Sequence, residues 1–347
     1  MAMTRLSADS RRGQIIVDTF TKFGIETRLE AAHHGPAFTS FELSVDSGTR
    51  IAPVWGLADN LAMALSVENV RIVAPIPEKS AIGIEVPNKK REEVSFESMT
   101  DALDAAEGLN LPVILGMDVE RNPVVIDLTK CPHLLVAGNP ETGKTMLLNS
   151  IIRSILRTKT AGEVLLAIID AKGVEYPIYN GNPHLMRPVI TKTSEAFDFL
   201  AELAEEIERR IALFNEAGAR NIEEYNHRGT KIPYIVVLVD EFLSLLMEDV
   251  KRLERLIKRI TAVARFCGIH LVFSTNRCSA DVITGVIKSN FPSQIAFSVS
   301  SGINSRIIMD QLGAEKLLGS GDMLFSLGGW RNPIRVQCAY IGDYCTP

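Results

Sequence analysis

His133-Leu-Leu-Val-Ala-Gly138-Asn-Pro-Glu-Thr-Gly143-Lys144-Thr145-Met-Leu147 joins a short apolar run, a glycine-bounded loop and the start of a helical pattern. The spacing fits G-x-x-x-x-G-K-[ST], in which backbone N–H groups wrap phosphates. On this reading Gly138, Asn139, Pro140, Glu141, Thr142, Gly143, Lys144 and Thr145 form the cradle. Lys144 reaches the β and γ phosphates, Thr145 ligates Mg²⁺, and the following helix turns its positive end toward the anion. The flanks agree with that reading. An apolar run precedes the loop, and Met146, Leu147, Ile151, Ile152, Ile155 and Leu156 recur after it at helical spacing.

A second apolar run, Ile232-Pro-Tyr-Ile-Val-Val-Leu-Val239, ends in Asp240-Glu241. Two carboxylates at a strand tip beside a phosphate loop divide the work: Asp240 serves the Mg²⁺ shell and Glu241 orients and deprotonates water. An adjacent Asp and Glu favour hydrolysis over storage, because binding alone needs no base. Ser274-Thr275-Asn276-Arg277 closes the next strand, where the Asn276 amide either contacts the γ-phosphate or caps the strand end. Asp170-Ala-Lys172 is similarly placed, and surface salt pairing is the expectation there. His33-His34 has no spaced partner ligands and reads as surface. A guanine-reading Asn-Lys-x-Asp is absent, since Asn88-Lys89-Lys90 runs into Arg91, so ATP is the expected nucleotide.

The chain has 347 residues, 46% hydrophobic and 23% charged, enough for a sizeable core and two domains. Residues 1–112 mix strand-like runs (Phe41 to Val45, Val70 to Ile76, Ala81 to Val86) with a helix at Leu57 to Ser66, without βαβ rhythm. They read as a small α+β domain, closed by the punctuation Gly108-Leu-Asn-Leu-Pro112. Over residues 113–347 apolar strands alternate with helices, the pattern of an α/β domain with a mostly parallel, doubly covered sheet. Asp322 to Leu327 and Ile334 to Ile341 are expected to add antiparallel strands at an edge. No apolar run approaches the ~20 residues that span a bilayer, so no membrane contact and a cytoplasmic location are expected. Cys131, Cys267, Cys278, Cys338 and Cys345 lack C-x-x-C spacing, which suits reduced thiols and no zinc site. A net charge of −5 means that any nucleic-acid contact must be local. Lys251, Arg252, Arg255, Lys258, Arg259 and Arg265 line one helical face, which by itself reads as solvated surface.

Taken together, these stretches resemble the FtsK/SpoIIIE family of DNA translocases. The motor-core likeness runs through Pro132-His-Leu-Leu-Val-Ala-Gly138, Glu208-Arg-Arg210, Arg220-Asn-Ile222, Pro233 to Phe242, Gly268-Ile-His-Leu271, Asp281 to Lys288, Ser305-Arg306, Asp310-Gln311 and Leu318 to Met323. Gly35-Pro36, Phe41-Glu-Leu43, Pro75-Ile-Pro77 and Ile82 to Arg91 are similar to the family's α domain. The resemblance implies a RecA-like P-loop NTPase domain with a smaller N-terminal domain. It also implies a homo-oligomeric, hexameric ring that moves double-stranded DNA by ATP hydrolysis, as in chromosome segregation. The rival is an ATPase of the same superfamily that drives protein secretion or assembly.

Departures from the family pattern are informative. Asn139-Pro140-Glu141-Thr142 stands where the family usually has Thr/Ser and a further Gly, Asn276 where it has Gln, and Cys278 where it has Pro. The family's winged-helix γ domain and membrane helices have no counterpart in this sequence. A ring would take positive charge from a neighbouring subunit, for which Arg306 is preferred over Arg277 and Arg210. DNA would meet the stretch Arg277 to Lys288 and the turn Gly328-Gly-Trp-Arg331, with contacts to phosphates and without sequence preference.

Overall fold

The computed structural model describes residues 2–46, 48, 50–76, 79–229, 231–328 and 332–342, with side chains from residue 8 onward. The chain forms two compact units, residues 1–94 with 117–122, and residues 95–116 with 123–347. Residues 329–331 of the turn considered above, and Cys345, lie outside the described residues. Among the described residues no helix is long and apolar enough to cross a membrane.

The first unit contains α1 (Ala2–Lys22), β1 (Thr27–His34), β2 (Phe38–Val45), α2 (Ile51–Trp55), α3 (Ala58–Leu65), β3 (Arg71–Val73) and β4 (Ala81–Pro87). Its strands form an antiparallel sheet in the order β1-β2-β4-β3. Alternation on β2 turns Phe41 and Leu43 inward, against Ile82 and Ile84 of β4, and α1 adds Ile16 and Phe20 to the same core. The strand expected over Val70 to Ile76 is shorter, Arg71–Val73, and Arg71 is clamped there by both oxygens of Glu85 at 2.9 and 3.0 Å.

The second unit begins earlier than the Gly108 to Pro112 punctuation suggests. It runs through α4 (Thr100–Asp104), β5 (Pro112–Met117), β6 (Pro123–Asp127), β7 (His133–Ala137), α5 (Lys144–Thr158), β8 (Val164–Ile169), α6 (Thr193–Ala217) and α7 (Ile222–Asn226). It continues through β9 (Tyr234–Val239), α8 (Leu243–Thr261), β10 (Ile269–Thr275), α9 (Gly285–Asn290), β11 (Ser293–Phe297), α10 (Gly302–Met309), β12 (Asp322–Ser326) and β13 (Ile334–Cys338). Leu111, Val113 and Leu115 are buried with Leu134, Val136 and Leu148, so the punctuation bends the chain into β5 and does not divide one core from another.

One nine-stranded sheet, ordered β6-β5-β13-β12-β11-β7-β10-β9-β8, carries this unit. Its β11-β7-β10-β9-β8 block is parallel. Every residue of β7 and β10 is buried, as expected for strands covered on both faces. One face packs against α6 and α8 through Phe197, Leu200, Leu253 and Ile257, the other against α5 through Leu148, Ile151 and Ile155. β12 and β13 are antiparallel as expected, but they are not edge strands: they lie between β11 and β5. Within them Arg335 and Asp322, 4% and 1% exposed, form an ion pair at 2.6 Å.

The parallel register brings four strand tips to one edge. Thr275 pairs with Ala137, Phe273 with Val239, and Ile169 with Val239, so Gly138, Asp170, Asp240 and Asn276 all emerge there. Loops beyond the carboxyl ends of parallel strands are where α/β sheets place ligand sites.

Candidate nucleotide site

The loop Gly138–Gly143 leads from β7 into α5 with its backbone pinned. Thr142 Oγ1 donates to the Asn139 carbonyl at 2.7 Å, Asn139 N–H to Ser298 O at 2.9 Å, and Gly321 N–H to Thr142 O at 2.8 Å. Both glycines of the pattern are required. A Cβ on Gly138 would sit 2.5 Å from Cβ of Phe297, and Gly143, at φ 122°, passes so near Gly321 that a Cβ would meet its Cα at 2.9 Å. The end of β11, at Phe297, and the turn that leads into β12, at Gly321, therefore brace the loop from the side, through residues that spacing alone did not single out. Lys144 lies over the loop, donating to the carbonyls of Gly138 at 2.9 Å and Asn139 at 2.5 Å. Burial pushes its ammonium down to about 8, a fall that the carboxylates of Glu241 and Asp240 partly oppose.

Across from the loop, Asp240 and Glu241 follow β9. Asp240 accepts a hydrogen bond from Tyr176 Oη at 3.3 Å. Burial, reinforced by the nearby Asp170 carboxylate, pushes Asp240 up to about 6, while Lys172 pulls the other way. Glu241 is oriented by two backbone N–H groups, Asn276 to Oε2 at 2.9 Å and Leu243 to Oε1 at 3.4 Å. Asn276 thus meets Glu241 through its main chain. Its carboxamide makes no hydrogen bond among the described residues and is half-buried at the tip of β10.

Asp170 departs from the expectation of surface salt pairing. It is fully buried and accepts from the backbone N–H groups of Lys172, Gly173, Val174, Glu175 and Tyr176 at 3.0 to 3.4 Å. Five donors on one carboxylate fold the following loop into a cup, and this cup delivers Tyr176 to Asp240. Tyr179 from the same loop donates to Asn149 Oδ1 at 2.6 Å, and Asn149 Nδ2 donates to the Thr145 carbonyl at 2.9 Å. Tyr176, Tyr179 and Asn149 are site residues that no motif flags. The available signal was Asp170 at the tip of a strand in the parallel block.

The arginines separate clearly. Arg210 is 1% exposed and donates to Glu206 and to the Cys267 carbonyl, both at 2.8 Å, so it is a structural residue of α6 and not a group free to serve a neighbour. Arg277 is ion-paired with Asp281 at 2.8 Å. Lys288 caps the end of α10, donating to the carbonyls of Arg306 and Ile307 and to Asp310. Arg306 is exposed, with its guanidinium unpaired among the described residues. On α8, Arg252 pairs with Asp198 and lies over the Phe197 ring, and Arg259 pairs with Glu208, so part of this basic face is neutralised by α6. Cys131, Cys267, Cys278 and Cys338 are free and buried, and burial pushes the Cys278 thiol up to about 11.

The sequence profile of the FtsK/SpoIIIE family matches residues 98–232 and 227–280, and that of the FtsK alpha domain matches residues 3–88. The chain belongs to the FtsK/SpoIIIE family. Two relatives are each 46% identical over 94% of this chain: the DNA translocase FtsK of Oceanobacillus iheyensis and the DNA translocase SpoIIIE of Bacillus subtilis. The chain spans 43% of the length of each. Among solved structures, the pCW3 conjugation coupling protein TcpA, in monomer form with ATPγS, superposes with a TM-score of 0.66 at 24% identity, covering 95% of both chains. The cytoplasmic domain of the Thermomonospora curvata type VII secretion ATPase EccC gives a TM-score of 0.58 at 20% identity, over 67% of this chain and 29% of that one. At these identities the structures speak for the fold alone. That fold is the RecA-like P-loop ATPase fold, here in an FtsK/SpoIIIE chain that also carries the family's small N-terminal domain.

Proposed function

We propose that this chain is the motor portion of a DNA translocase, which hydrolyses ATP with Mg²⁺ and moves double-stranded DNA as a hexameric ring of like subunits. The observation that carries the nucleotide half is the convergence of Lys144, Asp240 and a backbone-locked Glu241 on one edge of the sheet. The DNA half rests on the relatives, both named DNA translocases and 46% identical over 94% of this chain.

The residues present fit a Mg-nucleotide. Gly138 and Gly143 let the loop pack against Phe297 and Gly321 in its wrapped shape, the loop offers backbone donors, and Thr145 with Asp240 pairs a hydroxyl with a carboxylate, both hard oxygen donors. Among the described residues no cluster of three or more His, Cys, Asp or Glu side chains forms a cage for a metal. Bound Mg²⁺ supplies positive charge to the phosphoryl oxygens. Lys144 leaves its two carbonyls for the β and γ phosphates, Glu241 takes the proton of the attacking water, and Asn276 turns its amide to the γ-phosphate side. Arg306 is the group proposed to act on a neighbouring subunit's site.

A pH profile follows from the two perturbed groups. MgATP affinity is expected to be greatest between about pH 6 and 8. As pH rises through about 8, Lys144 of the free protein gives up the proton that binding requires. Affinity then falls by up to about tenfold per pH unit. As pH falls through about 6, Asp240 takes up a proton and Mg²⁺ loses its carboxylate. Calorimetric titration at pH 5, 7 and 9 checks this, and a flat profile would contradict it.

The deciding experiment is the ATPase rate with and without long double-stranded DNA. A chain at net charge −5 can hold a polyanion only through local basic groups. From the relatives named DNA translocases, stimulation by DNA is expected, falling steeply with salt through counterion release. Indifference to DNA at low salt would put the protein-moving ATPase first.

A further inference from the structure

The phosphate loop contains one residue that works against its apparent purpose. Glu141 sits at φ 61°, in the left-handed region that residues other than glycine enter at a steric cost. Its carboxylate is exposed and makes no hydrogen bond or ion pair among the described residues. The backbone on either side is fixed. Asn139 N–H donates to Ser298 O at 2.9 Å while its side-chain Oδ1 accepts from Ser300 Oγ at 3.3 Å, and Thr142 is tied to Asn139 O and to Gly321 N–H. Pro140 stiffens the step before it. The main chain therefore cannot carry Glu141 out of the loop without breaking the bonds that shape the cradle. The other charged contributions of the loop and its helix are positive, namely the Lys144 ammonium and the N-terminal end of the fifteen-residue helix α5.

We propose that Glu141 is a residence-time element: its carboxylate opposes the polyphosphate and shortens the lifetime of bound nucleotide, so that rapid release of ADP is built into the loop. This rests on the nucleotide reading given above. Like charges at the edge of solvent repel weakly enough to permit binding and strongly enough to change a rate several-fold.

The test holds backbone strain constant and varies charge alone. Glu141→Gln and Glu141→Lys both keep a long side chain at the same left-handed position. Dissociation of a fluorescent methylanthraniloyl-ADP with Mg²⁺ is followed by stopped-flow displacement at low and high salt. Release is expected to slow by about three- to tenfold from Glu to Gln and again from Gln to Lys at low ionic strength. The differences should shrink near 1 M salt, where the Debye length is about 3 Å. Equal off-rates across the series, or differences that ignore salt, would overturn the proposal while leaving the nucleotide site standing. If folded wild-type protein takes up no labelled ADP at all, the nucleotide reading fails and this proposal with it.

Discussion

Glu241→Gln is expected to bind MgATP with an affinity within a few-fold of wild type and to hydrolyse it about 10²- to 10⁴-fold more slowly, the range for removing a positioned general base. The amide has the shape of the carboxylate and can still accept from Asn276 N–H, which reaches Oε2 at 2.9 Å, so the tip of β9 should keep its geometry. What is lost is the ability to take a proton from water in the transition state. Single-turnover hydrolysis and equilibrium nucleotide binding, measured on the same preparation, separate the two effects. Collapse of affinity with the hydrolytic step intact would reverse the roles given to Asp240 and Glu241. Asp240 is the natural contrast. Partly buried, pushed up to about 6 and hydrogen-bonded by Tyr176 Oη at 3.3 Å, it is a carboxylate that a bound cation would relieve.

What could be read in advance was local chemistry. The phosphate loop declares itself because two glycines, a lysine and a threonine must stand at fixed spacing for the backbone to wrap an anion. The structure gives Gly138 and Gly143 close contacts that only glycine tolerates. Asp240-Glu241 was legible because a six-residue apolar strand ends abruptly in two acids. Relations between distant stretches were not legible. Asp170 looked like a surface acid because its five partners are backbone N–H groups, which carry no sequence signature. Arg210 stood as an alternative to Arg306 because its acceptors, Glu206 and the Cys267 carbonyl, come together only when α6 packs beside the start of β10. The interior place of β12 and β13 depends on β5, far earlier in the chain, closing the sheet beyond β13, a pairing that no local stretch announces. The helix α1 gave little signal because, among its described residues, the large apolar side chains buried are Ile16 and Phe20, with Val17 partly so.

Lys144→Ala is expected to abolish productive nucleotide binding while leaving the fold as stable as wild type or more so. The two effects have one cause. Burial holds the ammonium at about 8 against an ordinary 10.5, which corresponds to roughly 3 kcal/mol of disfavoured charge. Two carbonyl acceptors, Gly138 O and Asn139 O, offset part of that cost. At neutral pH the lysine is charged in both the folded and unfolded chain, so replacing it removes a burial penalty along with those bonds. A merely structural lysine would behave the opposite way, with stability falling and nucleotide binding following it. Thermal melts and MgATP titration on the same variant distinguish the cases, and retained turnover at the wild-type rate would sink the nucleotide-site assignment. The variant also tests sharing between subunits. Lys144→Ala protein keeps Arg306, and Arg306→Ala protein keeps its phosphate loop, so mixed oligomers should regain ATPase if Arg306 acts across the interface. An arginine supplied in this way is worth about 10³- to 10⁵-fold in rate, large enough for partial recovery to be plain above either variant alone. No recovery in demonstrably mixed oligomers would remove Arg306 from the site.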